Sequence, residues 1–483
     1  MKNTNEKHIF FGLNAETLNL AESVAGARPD AEIVFVLDEA GADSTESPSG
    51  GISGRILRRE RFRLSMSDFR DLLGGGANNL YFFSENSERN LNTAFAILET
   101  LKKAALAREV ALYVETYAKD SDELFSRKRD ELGMPFSFKT LKPAELAAFS
   151  LTSRVQPAAL LEIDTKKGLP KEDFKMSLIG FGNFGRAAFL DLYRLGNFEG
   201  CEFNADIVDV NARYHSKAFA ELYPGLIKSA ILNFIEMNVS GSDFVDYLQN
   251  SMRDRKLFVV SLGNDGLNVK IANLICSIAC ENGQSPCVAC CLWDDSFAAN
   301  LENPEMVVTF GAFSKIYTAP VILDNALEVC GKLVNECYNS TKSDAYKMKN
   351  WNFMSRFEKD TNIFVALFNR AYSRLLGFDP LARFASEAEF KAYIRKDPEL
   401  YENLSKVEHR RWMAYMYAAG WNVLPLSPSL IENKDEFAKL HTCLVPYDEL
   451  DSVSAAFNED YKQYDRDNID MIYRIAQTLR QRI

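Results

Sequence analysis

From the N-terminus to about Trp293, short apolar runs alternate with longer amphipathic stretches. HIFFGL, EIVFVLDE, LYFFSE and EVALYVET are runs of β-branched and aromatic residues, while ETLNLAESVAG and NLNTAFAILETLKKA repeat apolar residues three or four apart. A strand buried on both faces reads as a continuous apolar run and a crossover helix as a one-sided stripe, so this alternation predicts a parallel α/β sheet. Between Gly41 and Gly54 the segment GADSTESPSGGISG is too rich in Ser and Gly for a packed element and reads as a surface loop.

The pattern breaks over Leu151–Asp173, where Pro157, Lys166, Lys167, Pro170 and Lys171 mark a connector. It then restarts. KMSLIG, NADIVDV, ILNFIEM, KLFVVSL and PCVACCLW read as strands separated by helical stretches, which describes much of a doubly wound sheet. LYFFSENSERNLNTAFAILETL and LFVVSLGNDGLNVKIANLICSI share a strand, a polar turn, an Asn (Asn90, Asn268) and an amphipathic helix, pointing to two copies of one fold. Beyond Asp294 the chain turns helical, with IYTAPVILDNALEVCGKLVNECYN reading as a strand or turn that runs into a helix. The expected class is therefore α/β: two tandem Rossmann-like parallel-sheet domains followed by a mainly helical one. Its boundaries fall at 1–150 for a degenerate first domain, 174–300 for a nucleotide-binding second, 301–345 for a connector and 346–483 for a helical ligand-binding domain.

The chain has 483 residues, of which 47% are hydrophobic, and a net charge of −11; it has the apolar content for several cores and repels phosphate backbones and anionic lipid. A nucleic-acid polymer is thus a poor partner. No apolar run reaches the roughly 18 residues of a spanning helix, and the opening MKNTNEKHIFFG lacks the charge and apolar order of a signal peptide, so direct membrane insertion is not expected and a soluble, cytoplasmic protein is. Five of nine cysteines (Cys276, Cys280, Cys287, Cys290, Cys291) crowd together without paired zinc-ligand spacing, and buried thiols rather than a metal site are expected.

The clearest motif is Gly180-Phe181-Gly182-Asn183-Phe184-Gly185, set between an apolar strand and an amphipathic helix. The first glycine permits the tight turn, the second lets the backbone approach a pyrophosphate and the third allows helix and strand to pack closely, with the phosphate on the helix N–H groups. Asp209 ends the next strand, where a carboxylate can accept from ribose hydroxyls and disfavours a 2′-phosphate. NAD or another adenine nucleotide is the ligand this predicts; the alternative is glycines kept only for packing. In the first domain Gly12-Leu13-Asn14-Ala15-Glu16-Thr17 keeps one glycine and sets Glu16 where a phosphate would lie, so binding there is not expected although Asp38 ends the second strand.

Through GFGNFG with Asp209, and through Asn90 and Asn268, residues 8–120 and 174–293 resemble TrkA-N domains, the NAD-binding regulatory domains of potassium-uptake proteins. That resemblance implies regulation by a nucleotide more than hydride transfer, and pairing of domains within the chain or in a homodimer. In the tail, Glu408-His409-Arg410-Arg411-Trp412, Ala419-Gly420-Trp421, Leu440 to Leu450 (LHTCLVPYDEL) and Tyr464-Asp465-Arg466-Asp467 resemble the ryanodine-receptor repeat (RyR) domain, departing from it at Thr442-Cys443, where a Pro commonly follows the His. With the lead-in helices, the likeness to bacterial TrkA-N/RyR fusion proteins spans nearly the whole chain. It implies a second-messenger sensor in a conflict or antiviral defence system, or in ion-transport regulation, acting on a separate effector or membrane protein.

Read from the residues, Glu408, Arg411, Trp412 and Tyr415 share a helix face, so Arg411 can fork onto a phosphate while Trp412, Trp421 or Tyr447 stacks on a base. The candidate ligand set is His409, Arg411, Trp412, Trp421, His441, Tyr447 and Arg466. The alternative is that the tryptophans are core and Glu408 pairs with Arg410 or Arg411 as structural glue. With four histidines (His8, His215, His409, His441) and no G-x-S-x-G, H-E-x-x-H or phosphate-loop motif, no catalytic residue is assigned and an enzyme is not favoured. The reading is a nucleotide sensor, against an NAD-dependent oxidoreductase and, from a third class, a purely structural scaffold.

Overall fold

The computed structural model describes residues 6–38, 54–73, 76–84, 86–103, 110–118, 120–134, 136–324, 326–340, 351 and 354–482. Residues 41–53 of the Ser/Gly-rich segment lie outside them. Two compact units emerge, one of residues 1–146, 312–325 and 350–356, the other of residues 147–311, 326–349 and 357–483.

The first unit is built on strands β1 (Lys7–Phe11), β2 (Glu32–Asp38), β3 (Arg55–Arg59), β4 (Asn78–Phe82), β5 (Val110–Glu115) and β6 (Ser137–Leu141). Helices α1 (Ala15–Ala27), α2 (Met66–Leu72), α3 (Ser87–Lys103) and α4 (Ser121–Leu132) connect them, and α5 (Pro143–Thr152) leaves the sheet. Every pairing is parallel and the spatial order is β3-β2-β1-β4-β5-β6. Period-two alternation sends Ile9 and Phe11 to one face, with Leu80, Phe82, Leu98 and Phe125, and Phe10 to the other, with Leu20, Val24 and Tyr81.

The second unit opens with a hairpin of β7 (Ile163–Asp164) and β8 (Leu169–Pro170) and repeats the architecture. Its sheet holds β9 (Phe174–Ile179), β10 (Phe203–Asp209), β11 (Ile231–Glu236), β12 (Leu257–Val260), β13 (Cys287–Cys291) and β14 (Val307–Phe310), ordered β11-β10-β9-β12-β13-β14 and all parallel. The crossovers are α6 (Asn183–Gly196), α7 (Ala212–Leu222), α8 (Pro224–Ser229), α9 (Ser242–Ser251) and α10 (Asp265–Glu281). In both sheets the chain reverses direction between its first and fourth strands, the crevice where such folds bind nucleotides. The fold class read from the sequence, tandem Rossmann-like sheets with a helical C-terminal region, is what the molecule has.

Three edge or near-edge strands escape the sequence reading. RILRR (β3) is half charged, SFKTL (β6) is short and half-exposed, and VVTF (β14) lies in the stretch read as connector. IYTAPVIL, read as a strand or turn, forms two helical turns, α11 (Phe313–Ile316) and α12 (Ala319–Ile322), in the first unit. Pro320 supplies the preset φ of a first turn.

The helical remainder comprises α13 (Ala326–Ser340), α14 (Arg356–Leu376), α15 (Pro380–Arg383), α16 (Glu387–Arg395), α17 (Pro398–Ala418), α18 (Leu450–Phe457) and α19 (Tyr461–Arg482), with a small sheet of β15 (Asn422–Val423), β16 (Lys434–Asp435) and β17 (Leu440–His441). It shares a core with the second sheet. Phe189 and Leu192 of α6, Phe368 and Tyr372 of α14, Val407 and Ala414 of α17 and Ile472 of α19 are buried in one continuous cluster. At Gly225 a Cβ would stand 2.3 Å from Cδ1 of Tyr417, so α8 and α17 meet too closely for any side chain there. No helix among the described residues is long and apolar enough to cross a membrane.

Candidate functional site

The six residues of the glycine loop divide by what surrounds them. Gly180 has φ +96°, and a Cβ on it would lie 2.2 Å from the Ser261 carbonyl oxygen at the end of β12, so only glycine turns here. On Gly185 a Cβ would lie 2.1 Å from the Gly180 carbonyl oxygen, which makes it the packing glycine. Gly182 differs. Its φ of −66° suits any residue, and apart from its own chain neighbours no atom of the described residues lies within 4 Å of the Cβ position. Neither strain nor packing within the protein demands glycine there, whereas a group approaching the backbone from outside would.

Gly182 also starts α6, whose N-terminus has no side-chain cap and no acidic residue in its first turn. Its leading N–H groups and the positive end of the helix dipole are therefore open to an anion. Asn183 is exposed at the first helical position. Phe184 is half-buried and stands 5.6 Å from the ring of Trp293, which is 40% exposed just past β13.

Asp209 ends β10 beside this loop, and both of its oxygens hold backbone. Phe181 N–H donates to Oδ2 at 2.8 Å and Asn211 N–H to Oδ1 at 2.7 Å, with His215 Nε2 3.6 Å from Oδ1. Asp209 thus braces the loop through both oxygens. Phe181 points inward, edge-on to Phe189, Phe219 and Phe234. On the β12 and β13 side, Asn264 caps α10 by accepting from Leu267 N–H, and the Asp265 carboxylate accepts from Trp293 and Asp294 N–H.

The first sheet offers a comparison within the same chain. Asn14 caps α1, its side chain accepting from Thr17 N–H at 2.9 Å and donating to the Phe83 carbonyl at 2.5 Å. Glu16 stands in the first turn, and Asp38 is paired with Arg89 at 2.5 Å. Glu115 at the end of β5 has its carboxyl pushed up to about 7 by burial, with Glu16 adding to the effect against a hydrogen bond from the Tyr317 hydroxyl. The helix end that would hold a phosphate is filled by the chain's own side chain and flanked by acids.

The tail residues come together as a buried polar network. Glu408 is fully buried and accepts from Arg411 Nε (2.8 Å) and Nη2 (2.7 Å), from the Tyr372 hydroxyl (2.8 Å) and from Asn468 (2.7 Å). Arg411 is 2% exposed. The open fork expected of Arg411 is thereby replaced by the Glu408–Arg411 pairing, the alternative the spacing left standing: at three residues apart on α17 the two side chains reach each other before any ligand does. His409 places Nδ1 3.1 Å from Asp465 and Nε2 2.9 Å from the Val445 carbonyl. Burial, the largest single influence, opposes its charge, but the Asp465 carboxylate, the Val445 carbonyl and Glu408 together outweigh it and the pKa is raised. His441 goes the other way, lowered to about 4 by burial, by Lys434 and by His409, while its Nδ1 accepts from Cys443 N–H.

Around the histidines, Trp412 stacks on His409 (5.6 Å) and meets His441 edge-on (5.2 Å), and Tyr447 meets His409 edge-on (5.8 Å). Trp421 is 6% exposed and stacks on Phe357. Arg466 reaches Glu402 at 3.3 Å and, with Lys462 and the carboxylates of Asp451, Glu459 and Asp460, lines a polar cleft of about 580 Å³ to which Arg411 does not contribute. Sequence reasoning passed over Arg186, the cation that directly follows the glycine loop, and Trp293, an exposed ring 5.6 Å from Phe184. For Arg186 a signal was present, since no acidic residue stands three or four positions away on its helix.

Strand order, crevice and glycine loop define a tandem Rossmann-type α/β protein. No protein-family model and no curated protein matches the sequence. Among solved structures the chain is similar to a mutant of GsuK, at 11% identity and TM-score 0.40 over 67% of this chain and 71% of that one. It is also similar to a dipicolinate synthase subunit from Bacillus halodurans, at 9% identity and TM-score 0.21 over 59% and 81%. Neither speaks to the RyR resemblance of the tail.

Proposed function

We propose that the chain is a nucleotide-binding regulatory protein whose adenine nucleotide, of the NAD class, docks on the Gly180–Gly185 loop and the N-terminus of α6. The observation that carries this reading is Gly182, a glycine that neither backbone strain nor packing requires, at the start of a helix without a side-chain cap. The same position in the first sheet is closed by Asn14, which argues against an N-terminus left open by chance. Regulation is favoured over the oxidoreductase reading because Asn264 and Asp265, polar side chains in the turn from β12 into α10, are engaged in holding backbone. The finer reading of a second-messenger sensor in defence or ion-transport control, acting on a separate effector, rests on the TrkA-N and RyR resemblances. In that reading the cleft at Arg466 is a part of the tail open to a ligand.

The test is calorimetric titration and thermal shift with NAD, NADH, ADP-ribose and ATP. Ligand at a hundred times its Kd stabilises the bound fold by about 2.7 kcal/mol, a readily measured rise in Tm. No shift with any of them defeats the proposal.

A further inference from the structure

We infer that β11 is the surface through which two copies of this chain pair, edge to edge and antiparallel about a two-fold axis, so that their second sheets join into one. β11, with the sequence ILNFIE, is the outer strand of that sheet, bonded to β10 on one side and to no strand among the described residues on the other. Met237 N–H donates to the Asp209 carbonyl, which sets the phase of the ladder. Ile231, Asn233 and Ile235 turn their backbone groups toward β10, and Leu232, Phe234 and Glu236 turn theirs outward. Every residue of the strand is half-buried or exposed, Ile231 at 44%, and α7, which packs beside it, leaves Tyr214 and Leu222 exposed as well. A bare edge of this kind is a template for another strand, and proteins blunt such edges with charge, proline, shortness or a cover. The same chain blunts its other edges: β3, the matching edge of the first sheet, is RILRR, β6 carries Lys139, and β14 has four residues. β11 has six residues, no proline and one charge, at its last position.

Charge selects a second copy as the occupant and fixes the register. Lys228, at the end of α8 just before the strand, is exposed. Glu236 stands at the opposite end, with Arg213 3.8 Å away. Antiparallel pairing centred on Leu232 sets outward-facing Leu232 against its own copy and Ala230 against Phe234, so that each outward backbone group finds a partner. It also brings Lys228 of each copy to Glu236 of the other, whereas parallel pairing would set like charge against like. The same register lays Ile231 across from Asn233 of the second copy and covers the exposed isoleucine. A single-strand edge is a small interface, so the dimer should form at micromolar concentration.

The experiment is sedimentation velocity of the full chain across a micromolar dilution series. Wild type should move from 54.5 kDa toward twice that mass as concentration rises. Ile231→Lys places a charge on the edge and Lys228→Glu sets carboxylate against carboxylate; each should weaken the dimer about tenfold or more. The double variant Lys228→Glu/Glu236→Lys should recover wild-type pairing, because the swapped charges meet again in the same register. Melts at the dilute end of the series, where wild type is monomeric, check folding; if Ile231→Lys melts early there, the charge reversal and its rescue decide the matter. A wild type that stays at 54.5 kDa would overturn the inference, as would a dimer indifferent to Ile231→Lys and Lys228→Glu or a reversal that the double variant does not rescue. Masses that keep growing past the dimer would overturn it too, since they mark pairing of β11 with a different edge in an open chain of copies.

Discussion

At Asp209 one carboxylate holds two backbone N–H groups and, in the proposed function, also meets the ribose, so two substitutions separate its tasks. Asp209→Asn keeps a carbonyl oxygen for one N–H and should weaken NAD modestly. Asp209→Ala frees both N–H groups, and should cost about 1–3 kcal/mol in NAD binding together with some protein stability. Calorimetry alongside urea denaturation reads both; wild-type affinity in Asp209→Ala would exclude the ribose role. His409 and His441 titrate in opposite senses. The folded pKa of His409 is raised, so its contribution to stability is complete below the unfolded value near 6.5 and is lost as pH climbs through the raised value. His441 is lowered to about 4, so its contribution is present above about 6.5 and is lost as pH falls from there toward 4. Relative to wild type, His441→Asn should therefore be penalised less at pH 5 than at pH 7.5, and His409→Gln less at high pH than at pH 6. Denaturation midpoints across pH 5 to 9 check this, and matching pH profiles for both variants would contradict it.

At the scale of the element, the β9–α6 turn contains three glycines that should respond differently to one added methyl. Gly180→Ala and Gly185→Ala drive a Cβ to within 2.2 Å and 2.1 Å of backbone carbonyl oxygens, so each should lower stability by several kcal/mol, roughly the scale of backbone strain plus overpacking. Gly182→Ala should leave the denaturation midpoint within about 0.5 kcal/mol, as expected for a substitution that touches nothing. Thermal melts of the three variants make the comparison, and a large loss at Gly182 would mean the position is a packing glycine. The turn was legible in the sequence because glycine spacing, apolar strand and amphipathic helix coincide over a short stretch. The closure of α1 by Asn14 was half legible: Glu16 was visible as an obstacle, but the bond from Asn14 to Phe83 depends on a strand 69 residues away. β3 and β14 were illegible for a related reason. An edge strand is paired on one side and buried on few faces, so its apolar signal is weak and its partner is distant in sequence.

Across the whole molecule, the helical tail read as a separate domain shares its core with the second sheet. Leu404 on α17 is fully buried in the cluster that includes Phe189 and Leu192 of α6. Leu404→Ala should remove about 2–5 kcal/mol and lower one cooperative transition of the second unit, seen alike by tail and sheet probes in hydrogen exchange. Loss of protection confined to the tail would show that the two cores are independent. Sequence periodicity cannot reveal such sharing, because an amphipathic helix shows that it has a buried face and not what covers it. The tail motifs Glu408–Trp412 and Asp465 were legible as a cluster, yet their ligand role was read from residue types alone. Buried carboxylates attract the nearest cation, and here that cation is Arg411.

The most direct test of the account is a calorimetric titration of NAD into the full chain and into Gly182→Val, with a melt of each protein in the absence of ligand. The account predicts binding to the wild type, no binding to the variant, and nearly equal melting temperatures without ligand, because the valine enters a volume open in the protein and assigned by the proposal to the phosphates. Equal NAD binding by the two proteins, or no binding by either, would contradict it.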